Sequence, residues 1–457
     1  MKTVKNTEVK SVGDIFKVVG GGTPSTAVSK YWNGSIPWVT SADIDDHFTI
    51  TPRKAITKEA IENSATHLLP KGSIIVVTRV GLGKVGIAHT DLCFSQDSQG
   101  LFVDDTICDT KYAAYQLQRN VQIFKHISRG TTINGVTKKQ LLNVPFILPA
   151  LKEQKKIVEE IETQFTRLDA GVAALKRAQA NLKRYRAAVL KAACEGKLVP
   201  TEVELANAEG RSYETGEQLL QRILAERRAK WEEENKKKGG KKKYVESKGP
   251  DVSNLPKLPE GWAWATVGQV SNTVQYGYTA SANKNTSGVR FLRITDIQNG
   301  NVNWDVVPTC KIPGRIIKDY KLQTDDIVFA RTGATVGKSF RLRGQFPESV
   351  FASYLIRVKP TSQLLSDWLD VCFQSPDYWS QIKVSSVGIG QPNVNGTKLC
   401  ALRVPIPPAK EQQRIVNEVE RMSSVMDELD NVLTASNKRS DNLRNAVLQH
   451  MLILNTK

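Results

Sequence analysis

Between residues 152 and 195, apolar side chains return in alternating steps of three and four. Val158, Ile161, Phe165, Leu168, Val172, Leu175, Leu182 and Val189 trace this seam, and polar Gln179 and Arg186 fill two of its positions. That spacing puts one apolar stripe along a helix, and over this length it predicts one strand of a coiled coil. Gly171 is the only glycine, no proline interrupts, and Gly196 and Pro200 end the pattern. At 1.5 Å per residue such a helix is ~66 Å long. With so narrow a stripe and so polar a remainder, it needs a partner.

The partner lies 258 residues further on. Lys152-Glu153-Gln154-Lys155-Lys156-Ile157-Val158 returns as Lys410-Glu411-Gln412-Gln413-Arg414-Ile415-Val416, and Arg186, Ala188, Val189 and Leu190 return as Arg444, Ala446, Val447 and Leu448. The second seam reads Ile415, Val419, Met422, Met426, Leu429, Leu433, Leu443, Val447, with no glycine or proline from 410 to 457. The residues predicted to pack the helices are therefore Val158, Ile161, Phe165, Leu168, Leu175 and Val189 on one, and Ile415, Val419, Met422, Met426, Leu429, Leu433 and Val447 on the other.

The segments before each helix read as mixed strand, turn and short helix. Residues 73–78 form a β-branched run bounded by Gly72 and Gly81, a buried strand. Residues 36–40 make a shorter one, and 111–127 a helix. Phe291-Leu292-Arg293-Ile294-Thr295-Asp296-Ile297 matches 39–44. Asp326-Ile327-Val328-Phe329-Ala330-Arg331-Thr332-Gly333 matches Ile74-Ile75-Val76-Val77-Thr78-Arg79-Val80-Gly81. The chain is a tandem duplication, and the repeat decides the architecture. Its fold class is α+β: two similar mixed α/β domains separated and joined by two long antiparallel helices. The expected segments are a first recognition domain at 1–150, a spacer helix at 151–199, a charged linker at 200–260, a second recognition domain at 261–409 and a second spacer helix at 410–457. In the linker, Leu219, Leu220, Ile223 and Leu224 give a short apolar face, and six lysines crowd into residues 236–243. So dense a charge stays extended as a solvated linker or serves as a phosphate-touching arm.

Charge adds a partner class. The net charge is +18, with +5 in residues 1–150 and +6 in 260–409, so both globular parts are basic and favour a polyanion. Six cysteines without paired spacing read as reduced thiols of a cytosolic protein. Residues 1–6 lack the apolar core of a signal peptide, and no apolar run approaches a membrane span, so the expected location is cytoplasmic with no membrane partner.

Most motifs with a chemical look fail on context. Gly81-Leu82-Gly83-Lys84-Val85-Gly86 has the spacing of a dinucleotide loop, but no amphipathic helix starts after it, and it reads as a turn between strands. Gly333-Ala334-Thr335-Val336-Gly337-Lys338-Ser339 is one residue short of a phosphate loop. Five scattered histidines show no metal-ligand spacing, and no catalytic constellation is legible. What does recur is polar and basic chemistry on strand-end turns. Arg79, Lys84, Arg129 and Asn134 in the first half, and Arg331, Lys338, Gln391, Asn393 and Asn395 in the second, are candidate DNA-binding residues. Such side chains on exposed loops read phosphates and base edges. The competing reading is that recurring residues hold the fold, with the arginines paired to Asp43 or Asp296.

Several stretches resemble type I restriction-modification specificity subunits. They are Pro149-Ala150-Leu151-Lys152-Glu153-Gln154 and Pro407-Pro408-Ala409-Lys410-Glu411-Gln412, then Ala187-Ala188-Val189-Leu190-Lys191-Ala192-Ala193-Cys194-Glu195-Gly196-Lys197-Leu198, Leu224-Ala225-Glu226-Arg227-Arg228-Ala229-Lys230-Trp231, and Leu255-Pro256-Lys257-Leu258-Pro259-Glu260-Gly261-Trp262. The resemblance implies two target-recognition domains, each reading half of a split, asymmetric double-stranded DNA target, with the helices setting the gap. It also implies two methyltransferase (modification) subunits docked on the helices, and two ATP-dependent nuclease-translocase (restriction) subunits in complexes that cleave. S-adenosylmethionine, ATP and Mg then belong to those partners; this chain carries no cofactor, no metal and no catalysis of its own. The rival readings are a stand-alone bipartite DNA binder without a methylase, and an enzyme whose site is not legible.

Overall fold

A computed structural model describes residues 8–45, 47–120, 135–237, 239–240, 243–283, 288–298, 300–386 and 392–453. Two compact units divide it, one made of 1–177 with 432–457 and the other of 178–431. The dividing points fall inside both long helices, Leu151–Cys194 and Ala409–Ile453.

In the first unit the domain's end strands close on each other: Glu8–Ser11 pairs antiparallel with Pro145–Leu148, just before the long helix begins. Between them, a four-stranded antiparallel sheet runs in the order Lys17–Gly20, Ser98–Phe102, Ile74–Val77, Val85–Ile87. The Ile74–Val77 run is buried throughout, because both faces of this central strand are covered. A smaller sheet sets Trp32–Val39 between Lys54–Ile56 and Cys93–Phe94, the last pairing parallel. The expected helix at 111–127 is described as Thr110–Arg119; its remainder lies outside the described residues.

The second unit repeats this plan. Ala263–Thr266 pairs with Arg403–Ile406. Ser271–Tyr276, Leu355–Pro360, Ile327–Ala330 and Ser339–Arg341 form the four-stranded sheet. Val289–Leu292 pairs parallel with Ser349–Phe351. The duplication extends to single glycines. A Cβ on Gly21 would stand 2.1 Å from the Ser95 carbonyl oxygen, and one on Gly277 would stand 2.1 Å from that of Ala352. Both glycines follow a sheet strand where two backbones touch. Gly277→Ala should lower stability by roughly 1–3 kcal/mol, since the obstacle is backbone that cannot rotate away. Gly314→Ala, which meets nothing within 4 Å, should leave the thermal midpoint unreduced; equal losses in both variants would refute the close-approach account.

Each unit's core joins a domain to both long helices. In the first, Ile157, Val158, Ile161 and Phe165 pack with Leu448 and Leu452. Asp169 forms an ion pair with Arg444, whose guanidinium lies 4.6 Å over the Phe165 ring. In the second, Val189, Leu190 and Ala193 pack with Ile415, Val416 and Val419, and Arg186 meets Asp427 at 2.6 Å. Rising numbers on one helix meet falling numbers on the other, so the helices are antiparallel. Leu219, Leu220 and Ile223 of helix Gly216–Lys237 complete the second core.

The seam itself is narrower than the pattern predicts. Met426, Leu433 and Ser440 are buried at intervals of seven, and Leu168, Leu175, Met422 and Val447 are half-buried. Leu429, a predicted packing residue, is instead 46% exposed, and Leu443 is 54% exposed. A helix with a single neighbour buries one stripe, and residues three positions off that stripe have nothing to cover them.

The recurring Lys-Glu-Gln owes its shape to the glutamine. Gln154 is fully buried. Its Nε2 donates to the carbonyls of Pro149 (2.8 Å) and Ile107 (3.0 Å), and its Oε1 accepts from the Asp109 amide (2.8 Å). Gln412 repeats the bond to the Pro407 carbonyl at 2.9 Å. Each glutamine thus satisfies backbone groups that the proline-rich joint leaves without partners.

Candidate nucleic-acid interface

The end of the four-stranded sheet where Ile74–Val77 stops is held by backbone bonds with the same pattern in both domains. Gly83 N donates to Val77 O and Gly337 N to Ala330 O, each at 2.9 Å. Val77 N reaches Lys84 O at 2.8 Å, and Ala330 N reaches Lys338 O at 2.9 Å. Thr78 N donates to Asp97 O (2.8 Å) as Arg331 N does to Tyr354 O (3.0 Å). A later segment then crosses this strand end: Val136 N meets Thr78 O at 2.8 Å, and Val394 N meets Arg331 O at 3.0 Å.

These bonds correct the alignment read from sequence. Arg331 stands where Thr78 stands, and the counterpart of Arg79 is Thr332. The turn in the second domain, from Ala330 to Gly337, is one residue longer than that from Val77 to Gly83. A one-residue step along a strand turns a side chain to the other face, so the two arginines are not a repeated fold-holding pair. Asp43 and Asp296 take other partners. Asp43 is bonded to the Thr40 amide (2.7 Å) and Arg53 (2.5 Å), and Asp296 to the Arg293 amide (2.9 Å) and guanidinium (2.7 Å).

Two candidates have partners within the fold. Lys84 Nζ donates to the carbonyls of Ser41 (3.1 Å) and Ile44 (2.9 Å), so it ties down the 41–44 turn. Asn395 caps helix Gly396–Cys400, its Oδ1 accepting from the Lys398 amide at 2.8 Å. Arg79 and Asn393 are exposed. Lys338, the counterpart of Lys84, lines a groove of about 950 Å³ in the second unit beside Arg343 and Trp379. Arg129, Asn134 and Gln391 lie outside the described residues.

Sequence reading missed the tyrosines. Tyr276 ends the first strand of the second domain's sheet; its ring lies 4.9 Å beneath the Arg331 guanidinium and its hydroxyl accepts from the Gly396 amide at 2.7 Å. Tyr354 is 67% exposed beside it. No periodic signal marks either one, since both sit where a strand's alternation ends. Arg331 Nε is buried and makes no hydrogen bond among the described residues. The two glycine-rich turns that imitate nucleotide loops are strand-to-strand turns, with Gly81, Gly83, Gly333 and Gly337 all at positive φ.

The described cysteines are all free thiols, and burial pushes Cys93 up to about 11 and Cys108 up to about 12, far from a reactive thiolate. Among the described residues, no group of three or more His, Cys, Asp or Glu is placed to hold a metal ion. No described helix is long and apolar enough to cross a membrane.

The sequence matches the model of the type I restriction modification DNA specificity domain twice, over residues 4–177 and 259–439. It is 31% identical over 160 residues to the MjaIX specificity subunit of Methanocaldococcus jannaschii, covering 34% of this chain and 37% of that one. It is 24% identical over 332 residues to the EcoKI specificity subunit of Escherichia coli, covering 70% and 60% respectively. Against the MjaVIII specificity subunit of M. jannaschii, identity is 22% over 464 residues, covering 100% and 93%. Among solved structures, the fold matches a chain from a study of complex assembly and conformational transition of the type I R-M system, with a TM-score of 0.66 at 17% identity and 99% of both chains covered. It also matches the HsdS subunit of Thermoanaerobacter tengcongensis, with a TM-score of 0.51 at 16% identity, covering 100% of this chain and 98% of that one.

Proposed function

The chain belongs to the type I restriction-modification specificity family, with that family's role in DNA sequence specificity, and from this premise we propose that it reads a two-part asymmetric target, one half with each globular domain. The observation that carries the proposal is the duplicated sheet scaffold, closed twice by paired end strands and twice continued into a long helix. One scaffold used twice with different surface side chains suits one target with two unlike halves. Half-sites one helical turn apart, about 34–36 Å, fall within the ~66 Å contour of a 44-residue helix.

The chain itself is non-catalytic in this reading. Two modification subunits take up the exposed apolar side chains of the helices: Tyr185, Val425 and Leu429 in one unit, Val432 and Leu443 in the other. They bring the S-adenosylmethionine and methylate adenine. Two restriction subunits bring ATP and Mg where the complex cleaves. The location is the cytoplasm, where DNA and these partners meet. The test is genome-wide adenine methylation in a methylation-free host that co-expresses this chain with its methylase. A two-part motif with a fixed gap, lost when the chain is omitted, is the expected result. An active methylase that yields no such motif would favour a stand-alone binder.

A further inference from the structure

The two domains agree at the positions that build them. Gly21 and Gly277 make the same close approach, Gly83 and Gly337 close the same turn, Asp43 and Asp296 cap the same short helical turn, and Gln154 and Gln412 hold the same joint. At one end of the sheet, five equivalent pairs differ. The ladder places Gly20 and Tyr276 at equivalent positions, opposite Gln99 and Ile356. The crossing bonds equate Thr78 with Arg331 and Asp97 with Tyr354, and their neighbours Arg79 with Thr332. Gly135, whose Cβ would stand 3.0 Å from Arg79 Cγ, takes the place of Asn393, which bridges Thr332. The backbone pattern is common to both, while each pair differs in chemical type.

A side chain that holds a duplicated fold is constrained in both copies. These five pairs are not, although they share one strand end and include exposed Arg79, Tyr354 and Asn393. We propose that this strand-end set chooses the bases, with Arg331 reading a guanine in the second domain's half-site and Arg79 reading a guanine in the first domain's. This rests on the two-reader function above and names its readers. Arg331 is built for the task. Its guanidinium lies 4.9 Å over the Tyr276 ring, a cation–π contact that restrains it, and the Gly396 amide holds the tyrosine hydroxyl. A planar fork fixed in this way can donate two parallel hydrogen bonds to guanine O6 and N7 in a pre-organised geometry that a flexible lysine ammonium does not hold. Asn393, exposed beside it, has the paired donor and acceptor that suit adenine N7 and N6. Because the first domain presents Arg79 from the neighbouring residue, with glycine for tyrosine beneath, its guanine occupies a different place within its half-site.

The test uses the full chain with its methylase and reads the methylated motif genome-wide. Arg331→Ala should lower discrimination about tenfold or more at one base pair of one half-site, leaving the gap and the other half unchanged. Arg79→Ala should do the same in the other half only. Arg331→Lys keeps the charge and an apolar stem; it should retain affinity for duplex DNA with a weakened guanine preference. The proposal is overturned if the Arg331→Ala or the Arg79→Ala complex keeps the wild-type motif with full discrimination, or if either relaxes both halves alike. Failure of the two-reader function is a separate result: the wild-type complex itself would then show no two-part motif.

Discussion

Glu202→Ala should cost the second unit about 3 kcal/mol, the low end of what breaking a buried ion pair costs. Glu202 is 1% exposed, at the start of the short helix Glu202–Glu209 that follows the first long helix. Its carboxylate accepts from Arg211 at 2.6 Å and from Arg414 at 2.7 Å, and its backbone amide donates to Glu411 at 2.9 Å. Glu411 also accepts from Trp262 Nε1 at 3.0 Å. The Glu202 carboxylate thus links the linker to the start of the second long helix, while its backbone amide, which the substitution keeps, reaches the first residues of the second domain through Glu411. Both arginines keep some solvent contact, which is why the loss falls at the low end. For a unit of this size the midpoint should fall by roughly 6–12 °C in a scan of the intact chain, at 2–4 °C per kcal/mol. A fall of under a degree or two would refute the network's role.

The same network gives a pH dependence with a definite sign. Burial pushes the Glu202 carboxyl up, but hydrogen bonds from Arg414 and Arg211 outweigh burial and hold it below the usual carboxylate range. A depressed folded-state value means that its stabilisation is fully present above the ordinary glutamate value, about 4.3, and is lost as pH falls through the folded value. Glu411 acts oppositely: burial raises it, so its ionised form is the costly one and its protonation favours the fold. Acid unfolding of the second unit should therefore steepen below about pH 4, and Glu202→Ala should remove part of that slope. An unchanged slope would refute this assignment.

Replacement of residues 1–150 by the corresponding domain of another specificity subunit should change one whole half-site and leave the other half intact. The first domain is closed by its own strand pair, Glu8–Ser11 with Pro145–Leu148, and among the described residues its sheets are built from its own strands. It does share a core with the helix residues Ile157, Ile161, Leu448 and Leu452, so the exchanged domain must keep apolar residues at the positions of Tyr115 and Leu117, which pack in that core. Methylome sequencing of the chimaera with its methylase decides the outcome. A chimaera that altered both halves, or neither, would sink the two-reader function outright.

Much of this molecule is legible in its sequence. The three-and-four seam, the 258-residue echo and the apolar runs at 74–77 and 327–330 determine two long helices and two like domains, because helix and strand periodicities are local and a repeat is visible by inspection. Three things were decided only by tertiary contacts. The match of Arg79 to Arg331 is off by one because the extra residue of the second turn lies in a loop, where no hydrophobic pattern marks it; the hydrogen-bond register alone places it. Lys84 and Asn395 have the chemistry of DNA-contacting residues, but backbone atoms of the 41–44 turn and of the Gly396–Cys400 helix claim their polar groups first. Leu429 continues the seam in sequence and faces solvent in the fold, since one partner helix covers only one stripe. Local periodicity says which side chains a helix or strand can bury, whereas the neighbour that arrives from far along the chain decides which of them it does bury, and which polar groups remain free for a ligand.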